Sequence, residues 1–131
     1  TCPGLDDTVL DNFLAVGDAA RLIDPITGGG IAHACQSGMY AGQVLVDCAK
    51  EGDFSKAALQ VYDTMWRDSM EDKLVRNWIA KEKFATLDDK ILDDVVLAIN
   101  DSDIKEVNVY NLLKVIKDKY LDLMSEMEDL F

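Results

Sequence analysis

The sequence has 131 residues, of which 49% are hydrophobic and 29% charged, and its formal net charge is −12. This composition predicts a globular chain of single-domain length, and the acidic excess without a basic aromatic patch argues against nucleic-acid binding. No apolar run is long enough to span a bilayer, and three cysteines without a close pair or a metal-ligand spacing predict a reducing, cytoplasmic setting and no metal site.

The first residues predict a loop followed by one short strand. Residues 1–11 are rich in turn formers, and a start at Thr1 in Thr-Cys-Pro-Gly is typical of a piece of a longer polypeptide. Residues 12–16 contain four consecutive apolar side chains, Phe13 to Val16, which is the pattern of a short buried strand. No second convincing strand follows, so the strand is expected to pair with a part of the protein outside this sequence.

The stretch after the strand carries the clearest chemistry. The chain turns at Gly17 and Asp18, passes through a loop with Pro25, and reaches the three glycines 28–30 before a helix begins. A helix N-terminus presents unpaired N–H groups and a partial positive charge, and glycines let a ligand approach the backbone. Because Asp18 can accept hydrogen bonds from hydroxyl groups, the stretch predicts a site for an anionic or strongly polar ligand.

The helix is predicted from about Gly30 to Lys50, with Gly52 as its C-terminal cap. One side consists of small residues at helical spacing, which predicts a closely packed neighbour: Gly30, Ala34, Ser37, Gly38, Ala41 and Gly42. The opposite side is more apolar and is free to pack elsewhere: Ile31, Cys35, Met39 and Val46. Cys35 and Cys48 are expected to be buried thiols, and His33 is expected at a packed or solvent-facing edge.

The remainder is helical in pattern. Ser55 and Thr86 are the expected N-caps of two helices, Asn100–Asp103 is a break, and a last helical segment holds Leu112 to Leu130. Trp66 and Trp78 are expected in the core, and the alternative is that they line a cavity for a lipid. Arg21 and Asp24 are expected at the surface, and the alternatives are a pair between them or contact with a ligand. The carboxylates at 88, 89, 93 and 94 are interpreted as a solvated face.

The string Gly17-Asp18-Ala19-Ala20, Pro25, Gly28 to Ile31, Ala34 and Ser37-Gly38 resembles the second FAD-binding motif of the p-hydroxybenzoate-hydroxylase-like flavoproteins. Within that superfamily it most resembles the geranylgeranyl reductase family, whose archaeal members reduce the isoprenoid chains of membrane lipids. The motif covers mainly residues 13–49. The resemblance implies an FAD cofactor and an isoprenoid lipid substrate.

Carried over to this sequence, the resemblance gives each motif residue a role toward FAD. Gly17 would permit the turn, Asp18 would hold the ribityl hydroxyls, and Pro25 would lie against the flavin edge that faces the substrate. The remaining cofactor-binding residues would direct their amides at the pyrimidine side of the flavin: Gly28, Gly29, Gly30 and Ile31. The sequence identifies no catalytic residue.

Flavoproteins of this kind also carry an N-terminal Gly-x-Gly-x-x-Gly unit for the ADP half of FAD, and this sequence has none. The expected fold is therefore mostly α, with one short strand and about five helices, as the C-terminal part of an α/β FAD-binding fold of the glutathione-reductase type. Residues 1–53 would end the FAD-binding domain and residues 54–131 would form a C-terminal helical region. The missing dinucleotide-binding portion would be the main partner, and the small-residue side of the helix would pack near it.

As an isolated piece, the chain is expected to be inactive and prone to self-association through its unpaired strand edges and small-residue helix face. A lipid substrate is compatible with peripheral attachment to a membrane. Two other functions stay open within the superfamily, an aromatic hydroxylase and an electron-transfer quinone oxidoreductase. An interpretation of another class is a non-catalytic, acidic helical interaction module in which the glycines only begin a helix.

Overall fold

The computed structural model describes residues 4–100, and all elements given below lie in that range. The chain divides into two compact units, Thr1–Trp78 and Ile79–Phe131. The predicted last helical segment and the break after Asn100 lie outside the described residues. The described part is mostly helical, as predicted, and the proposed domain division after residue 53 stays a prediction.

The first unit begins with a β-hairpin, so the prediction that the strand has no partner within this sequence is wrong. Strand β1, Val9–Leu10, runs antiparallel to β2, Phe13–Leu14, with Val9 opposite Leu14 and Leu10 opposite Phe13. Asn12 adopts a left-handed backbone conformation (φ 58°), which asparagine tolerates, and this turns the chain within two residues. Val9–Leu10, assigned to a loop from the sequence, thereby becomes the partner of the predicted strand.

The long helix predicted after the glycines is present. A 3-10 turn at Gly17–Ala20 follows the hairpin, and α1 spans Ile31–Glu51, within one residue of the expected bounds. Gly52 ends α1 with a left-handed conformation (φ 70°) and donates its N–H to the carbonyl of Cys48. The predicted C-terminal cap is therefore confirmed, because glycine adopts this conformation at little cost.

After α1 and a short loop, the chain forms a second long helical segment, which is continuous but contains one irregular turn. Helix α2 spans Lys56–Trp66, a π-helical segment spans Arg67–Glu71, and α3 spans Asp72–Phe84. The hydroxyl of Ser55 accepts the N–H of Ala58 at 3.3 Å, which confirms Ser55 as the N-cap. The apolar spacing did not indicate the π-helical turn.

The core of the first unit forms where one face of α2 and α3 meets α1, β1 and the 3-10 turn. Tyr62 and Trp66 are fully buried there, which confirms the prediction for Trp66, whereas Trp78 is half-buried. Tyr62 and Trp66 each satisfy their polar atom. The Tyr62 hydroxyl donates to the carbonyl of Ala15 at 2.7 Å, and the Trp66 indole N–H donates to the hydroxyl of Thr8 at 3.0 Å. The cluster also contains smaller apolar residues: Val9, Ala20, Leu22, Ala41, Val44, Cys48, Leu59, Met70 and Leu74.

A buried carboxylate attaches the N-terminal segment to this helix. Asp63 accepts hydrogen bonds from the Thr8 hydroxyl at 2.5 Å and from Arg67 Nε at 2.6 Å. Arg67 also donates to the carbonyls of Leu5 and Asp6, both at 3.0 Å, and its guanidinium lies 4.4 Å from the Trp66 ring centroid. One ion pair thus satisfies backbone acceptors of a segment that has no regular structure.

In the second unit, α4 spans Asp89–Asn100, and the prediction of Thr86 as its N-cap is wrong. The Thr86 hydroxyl instead donates to the carbonyl of Lys83 at 2.7 Å, at the end of the preceding helix. Asp88 takes the capping position and accepts the N–H of Ile91 at 2.8 Å. Across residues 4–100, no helix combines the length and the apolar character needed to cross a membrane.

Candidate functional site

Gly17 places the 3-10 turn directly on α1. Its φ is 52°, and a Cβ at this position would lie 2.8 Å from the Cβ of Ala34. The N–H of Gly17 donates to the hydroxyl of Ser37 at 3.0 Å, and that hydroxyl donates to the carbonyl of His33 at 2.8 Å. Both the conformation and the close approach require glycine at position 17. Because Asp18 follows directly in the chain, the turn at Gly17 sets the position of the Asp18 backbone.

The small-residue side of α1 has two halves. Ala34, Ser37 and Ala41 pack within the chain against the 3-10 turn and the core, which confirms part of the predicted close packing. Gly38 and Gly42 are exposed, and an added Cβ at either would meet nothing within 4 Å. The expectation that this helix packs against a further portion of the protein stays a prediction.

Asp18 lies against the N-terminal end of α1. An ideal Cβ at Gly30 would lie 2.7 Å from Asp18 Oδ1, so the carboxylate occupies the space that any side chain at Gly30 would need. No side-chain hydrogen bond caps α1, whose N-cap residue is Gly30. The end of α1 therefore combines a carboxylate acceptor with backbone donors that no side chain of the described residues uses.

The loop between the turn and α1 is closed by hydrogen bonds to Asp24. The N–H of Asp24 donates to the carbonyl of Gly29, and the N–H of Gly28 donates to the carbonyl of Asp24, both at 2.9 Å. Asp24 Oδ1 accepts the N–H groups of Ile26 at 2.9 Å and Thr27 at 3.1 Å. We call residues 25–30, which this aspartate encloses, the glycine loop.

The structure brings some of the predicted site residues together and leaves others apart. Asp18 and Gly30 are in contact, although they are distant in sequence, and Gly28 and Gly29 are exposed on the glycine loop. Pro25 is half-buried in the same loop, and Ile31 is 85% exposed at the start of α1. The geometry is that of an open, polar helix end, and the role of each residue toward a cofactor stays a prediction.

Asn77 is a residue of this site that the sequence pattern did not predict. This residue of α3 is 5% exposed, and its amide Nδ2 donates to Asp24 Oδ2 at 2.9 Å. Asp24 is therefore paired with Asn77, and Arg21, which adopts a left-handed conformation (φ 59°), is exposed. A signal was present in the spacing, because Asn77 follows Met70 and Leu74 on the buried face of the helix, where a polar residue is unusual.

Two expectations about single residues have different outcomes. Cys48 is buried, as predicted, but Cys35 is exposed, because it lies on the outer side of α1 together with Ile31 and Met39. His33 is half-buried, and its buried Nδ1 atom has no hydrogen-bond partner among residues 4–100.

Comparison with known proteins identifies close relatives over nearly the whole chain. The chain is 45% identical to the digeranylgeranylglycerophospholipid reductase of Thermoplasma acidophilum over 130 residues, which are 99% of this chain and 31% of the relative. It is 47% identical to the protein of the same name from Picrophilus torridus over 121 residues, 92% of this chain and 30% of the relative. No protein-family profile matches the chain.

A solved structure agrees with these relatives. The crystal structure of a geranylgeranyl bacteriochlorophyll reductase-like protein from Thermoplasma acidophilum superposes with a TM-score of 0.84 at 42% identity, covering 98% of this chain and 32% of that protein. The resemblance predicted from the motif is therefore confirmed. The chain spans about a third of the length of the relatives that it matches.

Proposed function

We propose that this chain is the C-terminal part of an FAD-dependent oxidoreductase that reduces geranylgeranyl double bonds of membrane lipids or of their prenyl precursors. The observation that carries the proposal is the contact of the Asp18 carboxylate with Gly30, at a helix end that no side chain caps. The names of the relatives support the substrate class, because they describe reductases of geranylgeranyl groups.

The residues at this helix end fit a flavin by the chemistry of their donors and acceptors. The exposed Asp18 carboxylate can accept hydrogen bonds from the hydroxyl groups of a ribityl chain. The N–H groups of Gly30 and Ile31 can donate to the carbonyl oxygens of a pyrimidine ring, whereas those of Ile26 to Gly29 bond within the chain. The absence of side chains at Gly28 and Gly29 keeps the approach open. A helix N-terminus also favours the negative charge that a reduced flavin carries.

Within this proposal, FAD supplies hydride transfer to the double bond, and the residues of this chain bind and orient the cofactor. Gly17 and Ser37 hold the turn that carries Asp18, and Asp24 holds the glycine loop together. Pro25 would lie beside the flavin edge facing the substrate. Residues 1–53 would end the FAD-binding domain, residues 54–131 would form the C-terminal helical region, and an upstream portion would bind the ADP half of FAD and supply the catalytic residues.

The first experiment measures bound flavin. The intact protein should purify with one FAD per chain, and Asp18→Ala should lose most of it because the ribityl hydroxyls lose their acceptor. Asp47→Ala is the matched control: Asp47 is an exposed acid of α1 that pairs with Lys50, far along the helix from its N-terminus. An intact protein that carries no flavin and takes none up would overturn the proposal.

A second experiment separates the reductase from the alternatives. The flavoprotein, given a reductant, should saturate the double bonds of a geranylgeranyl lipid presented in detergent micelles, which mass spectrometry detects as a gain of hydrogen. Oxygen consumption with an aromatic substrate would favour a hydroxylase instead. A cooperative fold of residues 55–131 alone, with no response of the intact protein to flavin, would favour the helical interaction module. Flotation with lipid vesicles tests the proposed peripheral association of this cytoplasmic enzyme with membranes.

A further inference from the structure

We propose that Asn77 is a positioning residue that sets the orientation of the glycine loop toward the flavin, acting through Asp24. This inference rests on the proposed function for its consequence, but its structural part stands on hydrogen bonds of the described residues. The Asp24–Asn77 pair joins two segments that lie 53 residues apart in sequence. We call this pair the loop clamp.

The loop clamp uses both oxygens of one carboxylate. Asp24 Oδ1 accepts two backbone N–H groups of the glycine loop, and Oδ2 accepts the amide of Asn77. The backbone of Asp24 adds two further hydrogen bonds, to Gly28 and Gly29. Because the helix holds Asn77, and Asn77 holds Asp24, the position of α3 determines where the glycine loop lies.

The buried position of Asn77 indicates that its amide has this specific task. The side chain lies on the face of the helix that also buries Met70 and Leu74, where an apolar residue would pack without needing a polar partner. A buried amide at this place is stabilising only when it is hydrogen-bonded, and Asp24 provides the bond. An exchange of Asn77 for leucine would keep the branched shape and heavy-atom count of the side chain, at a larger volume, and remove the clamp.

The loop clamp also keeps a negative charge in place near the cofactor site. Asp24 stands six residues before Gly30, the N-cap of α1, and its carboxylate is occupied by three hydrogen-bond donors. A released carboxylate on the same loop would compete with the flavin for the amides at the helix end. We therefore expect the loss of the clamp to weaken flavin binding by more than loop mobility alone would do.

The structural part is tested on the intact protein stripped of flavin, by hydrogen exchange and mass spectrometry of the peptide that contains Ile26 to Gly28. In Asn77→Leu, the exchange of these amides should accelerate about tenfold, as expected for the loss of a hydrogen bond to a charged group. The functional part is tested by the dissociation constant of FAD, which should rise about tenfold. Thr8→Val is the control, because it removes hydrogen bonds to Asp63 and Trp66 away from the loop.

A reciprocal exchange distinguishes positioning from general packing. Asn77→Asp should disrupt the clamp, because it places two carboxylates at hydrogen-bond distance. The double variant Asp24→Asn/Asn77→Asp should restore it, because the introduced amide can donate to the introduced carboxylate while its oxygen still accepts the loop N–H groups. In the double variant, hydrogen exchange of the loop amides should slow again, and the affinity for FAD should recover with it. This rescue also keeps the test valid if Asn77→Leu fails to fold.

The outcomes separate the two proposals. If wild-type protein binds no FAD but Asn77→Leu accelerates exchange in the loop, the proposed function fails and the clamp stands as a structural element only. If wild-type protein binds FAD and Asn77→Leu changes neither exchange nor affinity, the role of Asn77 is overturned. It is also overturned if Thr8→Val weakens FAD binding as much as Asn77→Leu does, or if the double variant shows no rescue.

Discussion

The hydroxyl of Ser37 accepts the backbone N–H of Gly17 at 3.0 Å, and this hydrogen bond joins the turn that carries Asp18 to the second turn of α1. Both partners are buried, so no water can replace the bond when it is lost. The position of the Asp18 carboxylate thus depends on Ser37, which lies twenty positions after Gly17 in the chain.

Ser37→Ala leaves the buried N–H of Gly17 without an acceptor. We expect the free energy of unfolding to fall by about 1 to 3 kcal/mol, the cost of an unsatisfied buried donor, and FAD affinity to fall with it. Urea denaturation and FAD titration measure the two effects. Ser69→Ala is the control, since Ser69 is an exposed hydroxyl that bonds to Gln36 and Tyr40; an equal loss in both variants would contradict the special role of Ser37.

Gly17→Ala should destabilise the protein by about 2 to 4 kcal/mol, because the residue has a left-handed φ and its new methyl group would meet Ala34. Gly42→Ala is the matched comparison within α1, where a Cβ meets nothing within 4 Å. There we expect a gain of about 0.5 to 1 kcal/mol from the higher helix propensity of alanine. Thermal unfolding of this 131-residue chain measures both changes.

The same Gly42→Ala variant tests whether a further portion of the protein covers α1. In the intact protein, a closely packed neighbour would meet the added methyl group, and the gain seen in the 131-residue chain should become a loss of about 1 to 3 kcal/mol. An equal gain in both proteins would show that this side of α1 stays exposed in the intact molecule.

The protonation of Asp63 should make the stability of the fold depend on pH in the acidic range. Burial alone would raise the pKa of Asp63, but hydrogen bonds from Arg67 and Thr8, the charge of Arg67 and the Trp66 indole outweigh it and hold the pKa below its ordinary value of 3.8. The ionised carboxylate therefore stabilises the fold above that value, and this contribution is lost as the pH falls through the lower, folded pKa. We expect Asp63→Asn to cost about 1 to 3 kcal/mol at neutral pH and to flatten the acid side of the stability curve.

The control for this prediction is Asp68→Asn, which changes an exposed carboxylate in the adjacent π-helical segment. Denaturant midpoints measured at several pH values between neutral and acid should fall along parallel curves for wild type and this control. A curve for Asp63→Asn that is also parallel would show that the Asp63 network adds nothing to the pH dependence.

We expect the ionisation of Tyr62 to cause a corresponding loss of stability at alkaline pH. Burial raises the pKa of Tyr62 to about 12; the nearby Ser37 hydroxyl opposes the rise and the charge of Asp63 adds to it. Because the folded pKa is raised, the neutral phenol stabilises the fold below the ordinary pKa of 10.0, and this contribution is lost between pH 10.0 and about 12. Tyr62→Phe should remove that dependence and cost about 1 kcal/mol through the lost bond to Ala15; a Tyr40→Phe variant should keep it.

The sequence predicted the elements that obey a local rule. Ser55 and Gly52 were assigned correctly as caps because each acts on atoms within four residues of itself. The hairpin was missed because strands of two residues are too short to show alternation, and the only local signal was Asn12 at a turn. The prediction of Thr86 as a cap is wrong because Asp88, another acceptable capping residue, stands close to it. The hydroxyl of Thr86 bonds to the end of α3 instead.

For the candidate site, the motif string predicts that Asp18 and the three glycines serve one ligand, and these roles stay predictions; the structure adds the close approach of Asp18 to Gly30. Asn77 could not be predicted in the same way. Its partner Asp24 is chosen by how the long helix packs, which is a tertiary relationship that no local pattern contains.

The π-helical turn at Arg67–Glu71 changes the angular position of all later residues around the axis of the long helix. Such a turn accommodates about one residue more than an α-helical turn, and one residue corresponds to a rotation of about 100° around the helix axis. Asn77 lies beyond this turn and owes its angular position to it. If Arg67–Glu71 formed a regular α-helical turn with no residue lost, Asn77 would rotate away from Asp24 and Leu74 would rotate out of the core. The loop clamp and the packing of the helix therefore depend on the same turn.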